Sequence, residues 1–210
     1  MGQEWAASAP FLYFTDHQDA LGALVVEGRR NEFGRFSAFA DVGTRAQIPN
    51  PQAEATFRAS GLDWTERQQP PHAGVLAETR ALLAIRHAHL TAAPRPRSTI
   101  RAYAPDDNLV LVAQPSDAGG VLVTCVDLRG SGGRVIDLAD RRLAPVLQDV
   151  LPSPAASGGG TAVHAAAATT ARVLHATRHP VDVRLEGHQL HLDAPAEPFG
   201  LVLHLTGASS

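Results

Sequence analysis

The sequence predicts a mixed fold: a helical part over residues 1–90, then an all-β antiparallel sandwich over residues 97–210. Three observations predict it. Apolar residues recur at helical spacing in the first part, which also holds both tryptophans and every phenylalanine except Phe199. Short runs rich in Val, Leu and Thr, broken by turn clusters, fill the second. Between them, Ala92-Ala93-Pro94-Arg95-Pro96-Arg97 reads as an extended linker, because two prolines two residues apart block a helix.

In the first part, a helix is expected from about Asp19 to Phe33, with Leu21, Leu24 and Val25 on one face. A short helix should follow Asn50-Pro51. Asn50 suits the N-cap, Pro51 the first helical position and Phe57 the buried anchor, and Gly61 suits the stop. The strongest periodicity runs from Pro71 to His89, where Leu76, Leu83 and Leu90 repeat every seven residues. Three such helices with no strand to pack against cannot make a good core alone.

The second part reads as strands at Thr99-Tyr103, Leu109-Gln114, Val121-Asp127, Arg134-Leu138, Val181-Leu185, Gln189-Leu192 and Gly200-Leu205. Glu186-Gly187-His188 is a hairpin candidate. This spacing of strands argues a sandwich. Residues 153–172 are ambiguous: Ser157-Gly158-Gly159-Gly160 reads as a loop, the alanine run 162–171 has helix propensity, and Thr169, Thr170 and Val173 favour a strand at its end.

Composition narrows the function. Charged residues make up 19% and hydrophobic residues 44%, enough to bury a core. A net charge of -3 leaves no electrostatic footprint for nucleic acid or for an anionic membrane, and there is no long apolar run to span one. All 18 basic residues are arginines, a bias that suits a GC-rich genome as well as bidentate contacts to sugars or carboxylates. Cys125 stands alone in an apolar strand and reads as a buried, inert thiol; a single such cysteine suits a reducing, cytoplasmic location. The ten histidines have no acidic or cysteine companions at ligand spacing, and the glycine runs lack phosphate-loop spacing. No metal or cofactor is expected.

The most informative stretch opens the chain: Gly2-Gln3-Glu4-Trp5, then Pro10-Phe11-Leu12-Tyr13-Phe14-Thr15-Asp16-His17. With Glu27-Gly28-Arg29-Arg30-Asn31-Glu32-Phe33, Ile48-Pro49-Asn50-Pro51-Gln52-Ala53-Glu54-Ala55-Thr56-Phe57 and Ser60-Gly61-Leu62-Asp63-Trp64, it resembles the malto-oligosyltrehalose trehalohydrolases, glycoside hydrolases of the α-amylase superfamily. Gln3 stands where that family usually has glutamate, and Gly61 where it has lysine. The resemblance covers most of residues 1–90; the sandwich resembles the family's C-terminal domain only in position and type.

The resemblance implies that residues 1–90 are the helical end of a (β/α)8 barrel, from the loop after strand eight through the last helices. Barrel active sites lie at the C-terminal ends of the strands, so this loop would stand at the rim of the cleft. It implies a retaining hydrolysis by paired carboxylates that releases trehalose from maltooligosyl-trehalose, with those carboxylates placed before Met1. No catalytic residue is therefore assigned in this chain. The implied partners are maltooligosyl-trehalose or a related α-glucan, and the N-terminal part of such an enzyme. A non-catalytic glucan-binding or interaction module is the alternative.

Five residues are candidates for substrate contact. Glu4 suits orienting a sugar hydroxyl, or else a structural bond. Trp5 and Phe14 suit stacking on pyranose rings, or else packing in a core. Asp16 and His17 suit lining the cleft, although Asp16 equally suits capping the helix that begins near Asp19.

Overall fold

The computed structural model describes residues 1–33, 48–90, 96–148, 150–151, 169–177 and 179–207. The chain divides into two compact units, Met1–Thr79 and Arg80–Ser210. The stretch 92–95 of the expected linker, the glycine run 157–160 and most of the alanine run lie outside the described residues.

The first unit is helical. Its elements are α1 (Asp19–Phe33), α2 (Glu54–Ala59) and the first turns of α3 (His72–His89), with 3-10 turns at Gln3–Trp5 and Trp64–Gln68. The long helices fall where apolar periodicity put them. The short one does not start as expected. Asn50 is not its N-cap; the Asn50 side chain accepts the Gln52 N–H at 2.9 Å in a local turn, and α2 begins after Ala53. Nor is Phe57 a buried anchor, being 58% exposed. Thr56 takes the inward position, because its hydroxyl donates to the Asn50 carbonyl at 2.6 Å. On α1, Leu21 and Leu24 of the expected apolar stripe are exposed, Val25 is half-buried, and the buried residue is Gly22.

The second unit is built on two antiparallel sheets. One has the order β1-β2-β3-β8-β5 and the other β4-β7-β6. The strands are β1 (Arg101–Tyr103), β2 (Leu109–Pro115), β3 (Val121–Asp127), β4 (Arg134–Asp137), β5 (Thr170–Ala176), β6 (Asp182–Glu186), β7 (Gln189–Asp193) and β8 (Phe199–Thr206). Period-two alternation sets the packing. Leu109, Leu111 and Ala113 of β2, Val123 and Cys125 of β3, and Leu201, Leu203 and Leu205 of β8 turn one face of the larger sheet inward. Ile136, Leu190 and Leu192 of the smaller sheet meet the same core. The short helix α4 (Ala144–Leu147) adds Leu147 to it. The two-residue turn Gly187-His188 pairs Glu186 with Gln189, as a hairpin needs. Burial pushes the Cys125 thiol up to about 12, so it is inert as a nucleophile.

One polar cluster sits beside this core. His89, at the end of α3, is buried; its carbonyl accepts the Asp117 N–H at 2.8 Å and its Nδ1 lies 2.8 Å from the Ser116 hydroxyl. That hydroxyl accepts the Ala118 N–H, so its own hydrogen is free to bond a neutral imidazole at Nδ1. The His204 ring packs edge-on, 4.7 Å away. Desolvation, and then the charges of His204 and Arg172, hold the His89 pKa below the ordinary imidazole value. The unfolded chain therefore takes up a proton that the folded chain refuses. Stability from this site is complete above the ordinary imidazole pKa, about 6.5, and is lost as pH falls below it. Melting curves from pH 7.5 down to 5 are expected to show a decline that His89→Gln makes shallower; equal slopes would refute the assignment.

Candidate functional site

The candidate site is assembled from the opening segment and the stretch 50–66, all within the first unit. Gly2 has φ +82°, and a Cβ there would lie 2.5 Å from the Ala7 side chain and 2.9 Å from that of Leu62. Only glycine fits such a backbone in such a space. The 3-10 turn that follows ends at Ala6, also left-handed at φ 54°. The effect is to fold Trp5 inward. Trp5 is 6% exposed, its ring centroid 5.3 Å from that of Trp64, with the Arg67 guanidinium over both rings.

Both carbonyls of the Glu4-Trp5 pair are tied to α3. The Thr79 hydroxyl donates to Glu4 O at 3.0 Å, and His72 Nδ1 donates to Trp5 O at 3.0 Å. The Glu4 side chain itself is exposed. Ser8 donates its N–H and its hydroxyl to the Glu66 carboxylate, and that hydroxyl bond is the largest cause of a lowered Glu66 pKa. Farther on, Leu12 N donates to Ser60 Oγ at 3.1 Å and Thr15 N to the Pro51 carbonyl at 2.8 Å.

Gln52 locks the end of the segment. Its Oε1 accepts from the Thr15 hydroxyl and the His17 N–H, and its Nε2 donates to the His17 carbonyl at 2.6 Å. Gly22 of α1 is tight against the same amide, since a Cβ there would lie 2.4 Å from Nε2. Gln52→Ala is expected to speed hydrogen exchange at the His17 amide about tenfold, the equivalent of one modest hydrogen bond. Unchanged exchange would show that Gln52 is not what holds this segment.

The segment and α2 enclose a concavity of about 510 Å³, lined by Phe14, Thr15, Asp16, Gln52, Ala53, Glu54 and Phe57. Phe14 and Phe57 meet edge to face at 5.2 Å. Asp16 and Glu54 supply carboxylates; Glu54 is also engaged by Arg58 at 2.6 Å. Aromatic rings beside carboxylate acceptors suit a sugar, which presents C–H faces and hydroxyl donors together. Phe14 and Asp16 are thus brought together, and His17 adjoins them through Gln52. Glu4 and Trp5 are not part of this concavity. Asp16 makes no capping bond to α1 among the described residues. Gln52 and Phe57 are not among the five candidates read from the sequence; both lie within the motif at residues 48–57, which is the signal that points to them. Among the described residues, no group of three or more His, Cys, Asp or Glu side chains is arranged to hold a metal ion, and no helix is long and apolar enough to cross a membrane.

No model of a known protein family matches the chain. Curated relatives do. The malto-oligosyltrehalose trehalohydrolase of Deinococcus radiodurans is 51% identical over 85 residues, 40% of this chain and 14% of that protein. Those of Arthrobacter ramosus and Mycobacterium tuberculosis are 42% and 39% identical over 87 and 88 residues, each match covering 41% of this chain and 14% of the relative. The chain therefore spans only a small part of the relatives it matches. Among solved structures, a putative alpha amylase from Salmonella typhimurium superposes with a TM-score of 0.59 at 23% identity, over 98% of this chain and 27% of that one. About two fifths of this chain is homologous to a stretch of malto-oligosyltrehalose trehalohydrolases, and its fold is similar to that of part of the Salmonella typhimurium structure.

Proposed function

We propose that the chain is the C-terminal part of a malto-oligosyltrehalose trehalohydrolase. In such an enzyme the α-1,4 bond next to the trehalose end of maltooligosyl-trehalose is hydrolysed and trehalose is released, as a step of cytoplasmic trehalose biosynthesis. The observation that carries this is the 51% identity over 85 residues to the Deinococcus radiodurans relative. On this reading residues 1–90 end a (β/α)8 barrel and residues 97–210 form its C-terminal sandwich domain. The paired carboxylates belong to sequence outside these 210 residues.

This chain's part is to shape the rim of the cleft. Phe14 and Phe57 offer ring surface to a glucose unit, and Asp16 and His17 offer polar groups to its hydroxyls, while Glu4, outside the concavity, offers an exposed carboxylate to another part of the substrate. Trp5 supports the loop from within. A chimera tests the reading: the Deinococcus relative with its matched stretch and everything after it replaced by this chain. It is expected to release trehalose from maltooligosyl-trehalose. A folded but inactive chimera would overturn the proposal.

The concavity's completeness within one unit favours a second reading, a non-catalytic glucan-binding module. It requires maltohexaose to shift the Phe14 and Phe57 ring resonances of the chain alone, and Phe14→Ala to abolish the shift.

A further inference from the structure

The extended segment that carries Phe14 and Asp16 is fixed largely by one side chain. The Gln52 amide faces the His17 peptide and bonds both its ends. Nε2 donates to the carbonyl at 2.6 Å, and Oε1 accepts the N–H at 3.2 Å. A peptide N–H must face an acceptor, so this pairing sets which way the amide points. Oε1 also accepts the Thr15 hydroxyl. Gln52 is itself pinned: its N–H donates to Asn50 Oδ1 at 2.9 Å, and the Thr15 N–H reaches the neighbouring Pro51 carbonyl at 2.8 Å. Gly22 of α1 makes room for the clamp, because a Cβ there would lie 2.4 Å from Nε2 and 3.0 Å from the His17 carbonyl.

Asp16 sits between the two clamped residues. Its neighbours on both sides are tied down, yet its exposed carboxylate makes no bond among the described residues. The other carboxylate of the concavity, Glu54, is engaged by Arg58 at 2.6 Å. A group whose anchor is fixed and whose acceptor atoms are unused is set up for a ligand, because the loop is ordered before the ligand arrives.

We propose that Gln52 is the positioning residue of this concavity: it holds Asp16 so that the carboxylate takes the O2 and O3 hydroxyls of one glucose unit. The proposal rests on the glucan reading above and adds which hydroxyls are read and what aims the group that reads them. In an internal unit of an α-1,4 chain, O1 and O4 are occupied by linkages and O6 lies on the exocyclic carbon. O2 and O3 are then the one adjacent pair of hydroxyls on the ring. A pyranose laid with its C–H face on Phe14 or Phe57 presents that pair at its edge, and the two oxygens of a carboxylate span it.

A double-mutant cycle in the chimera described above tests it. Gln52→Ala is expected to raise KM for maltooligosyl-trehalose about tenfold with kcat unchanged, the pattern of a lost binding contact. Asp16→Ala should do at least as much. Adding Gln52→Ala to it should change KM by less than about twofold, because the residue through which Gln52 acts is gone. A merely structural Gln52 would lower kcat by loss of folded enzyme, and would act equally with or without Asp16. Calorimetry with maltohexaose repeats the cycle without turnover. Maltotriose deoxygenated at O2 and O3 of every unit should bind the parent and Asp16→Ala chimeras within about twofold of each other.

Additive effects, a kcat loss at constant KM, or an Asp16→Ala penalty that persists with the deoxygenated probe would overturn the proposal. Any of these in an active chimera leaves the family reading standing. An inactive chimera that binds maltohexaose with the coupled pattern does the reverse, and a folded, inactive chimera that binds none overturns both. If the chimera does not fold, the cycle is run on the 210 residues alone, followed at the Phe14 ring resonances; there, absence of binding or of coupling overturns the proposal.

Discussion

Asp127→Ala is expected to cost the second unit about 3–5 kcal/mol, a large share of the roughly 5–15 kcal/mol that holds a domain folded. Asp127 ends β3 and its side chain is wholly buried. One carboxylate oxygen accepts the N–H groups of Arg129, at 3.0 Å, and Gly130, at 2.6 Å. The other lies 3.5 Å from the Arg134 guanidinium, which also binds Asp106 and the Ser131 hydroxyl. Alanine removes all of this at once. It strands two N–H groups in a turn that cannot rearrange: Gly130 sits at φ +74°, where a Cβ would come within 2.3 Å of the Glu197 backbone. It also leaves a mostly buried guanidinium with only an exposed carboxylate for balance. Tm should fall by about 10 °C or more. Asp127→Asn keeps an acceptor for both N–H groups and loses only the charge, so its drop should be about half as large. An alanine variant that melts within about 2 °C of the parent would show that the cluster is ornamental to stability.

What was legible in the sequence was what local periodicity decides. α1 and α3 follow from apolar spacing, and the strands from alternation bounded by Gly, Asp and Pro turns. β5 was only half legible, because the alanines before it favour a helix while pairing with β8, a long-range event, decides for a strand. The site was harder to read. Whether Trp5 faces inward depends on Trp64, His72 and Arg67, dozens of residues away. The exposure of Phe57 depends on Thr56 bonding to Asn50 and claiming the inner face. Gln52 became a clamp only when Thr15 and His17 were brought to it. A linear motif records that these residues go together; it does not say which of them turns outward.

The 210 residues by themselves are expected to release no trehalose from maltooligosyl-trehalose, a deficit of at least about 10⁶ relative to a complete enzyme. Retaining hydrolysis needs two carboxyl groups about 5–5.5 Å apart, one ionised to attack and one still protonated near neutral pH. A raised pKa comes from an apolar, water-poor setting. Two carboxylates near the candidate site have the opposite surroundings. Asp63 is held below the usual carboxylate range by the Thr65 hydroxyl and N–H, and Glu66 by the Ser8 hydroxyl. Hydroxyl and N–H donors suit a group that stays ionised and accepts hydrogen bonds from a sugar; they do not suit one that must deliver a proton to a leaving oxygen. Coupled assay of the purified chain should therefore stay at background across pH 5–8, while the chimera turns over. Trehalose release by the chain alone, lost in Asp16→Asn or Glu54→Gln, would mean that this concavity is itself an active site and would overturn the reading.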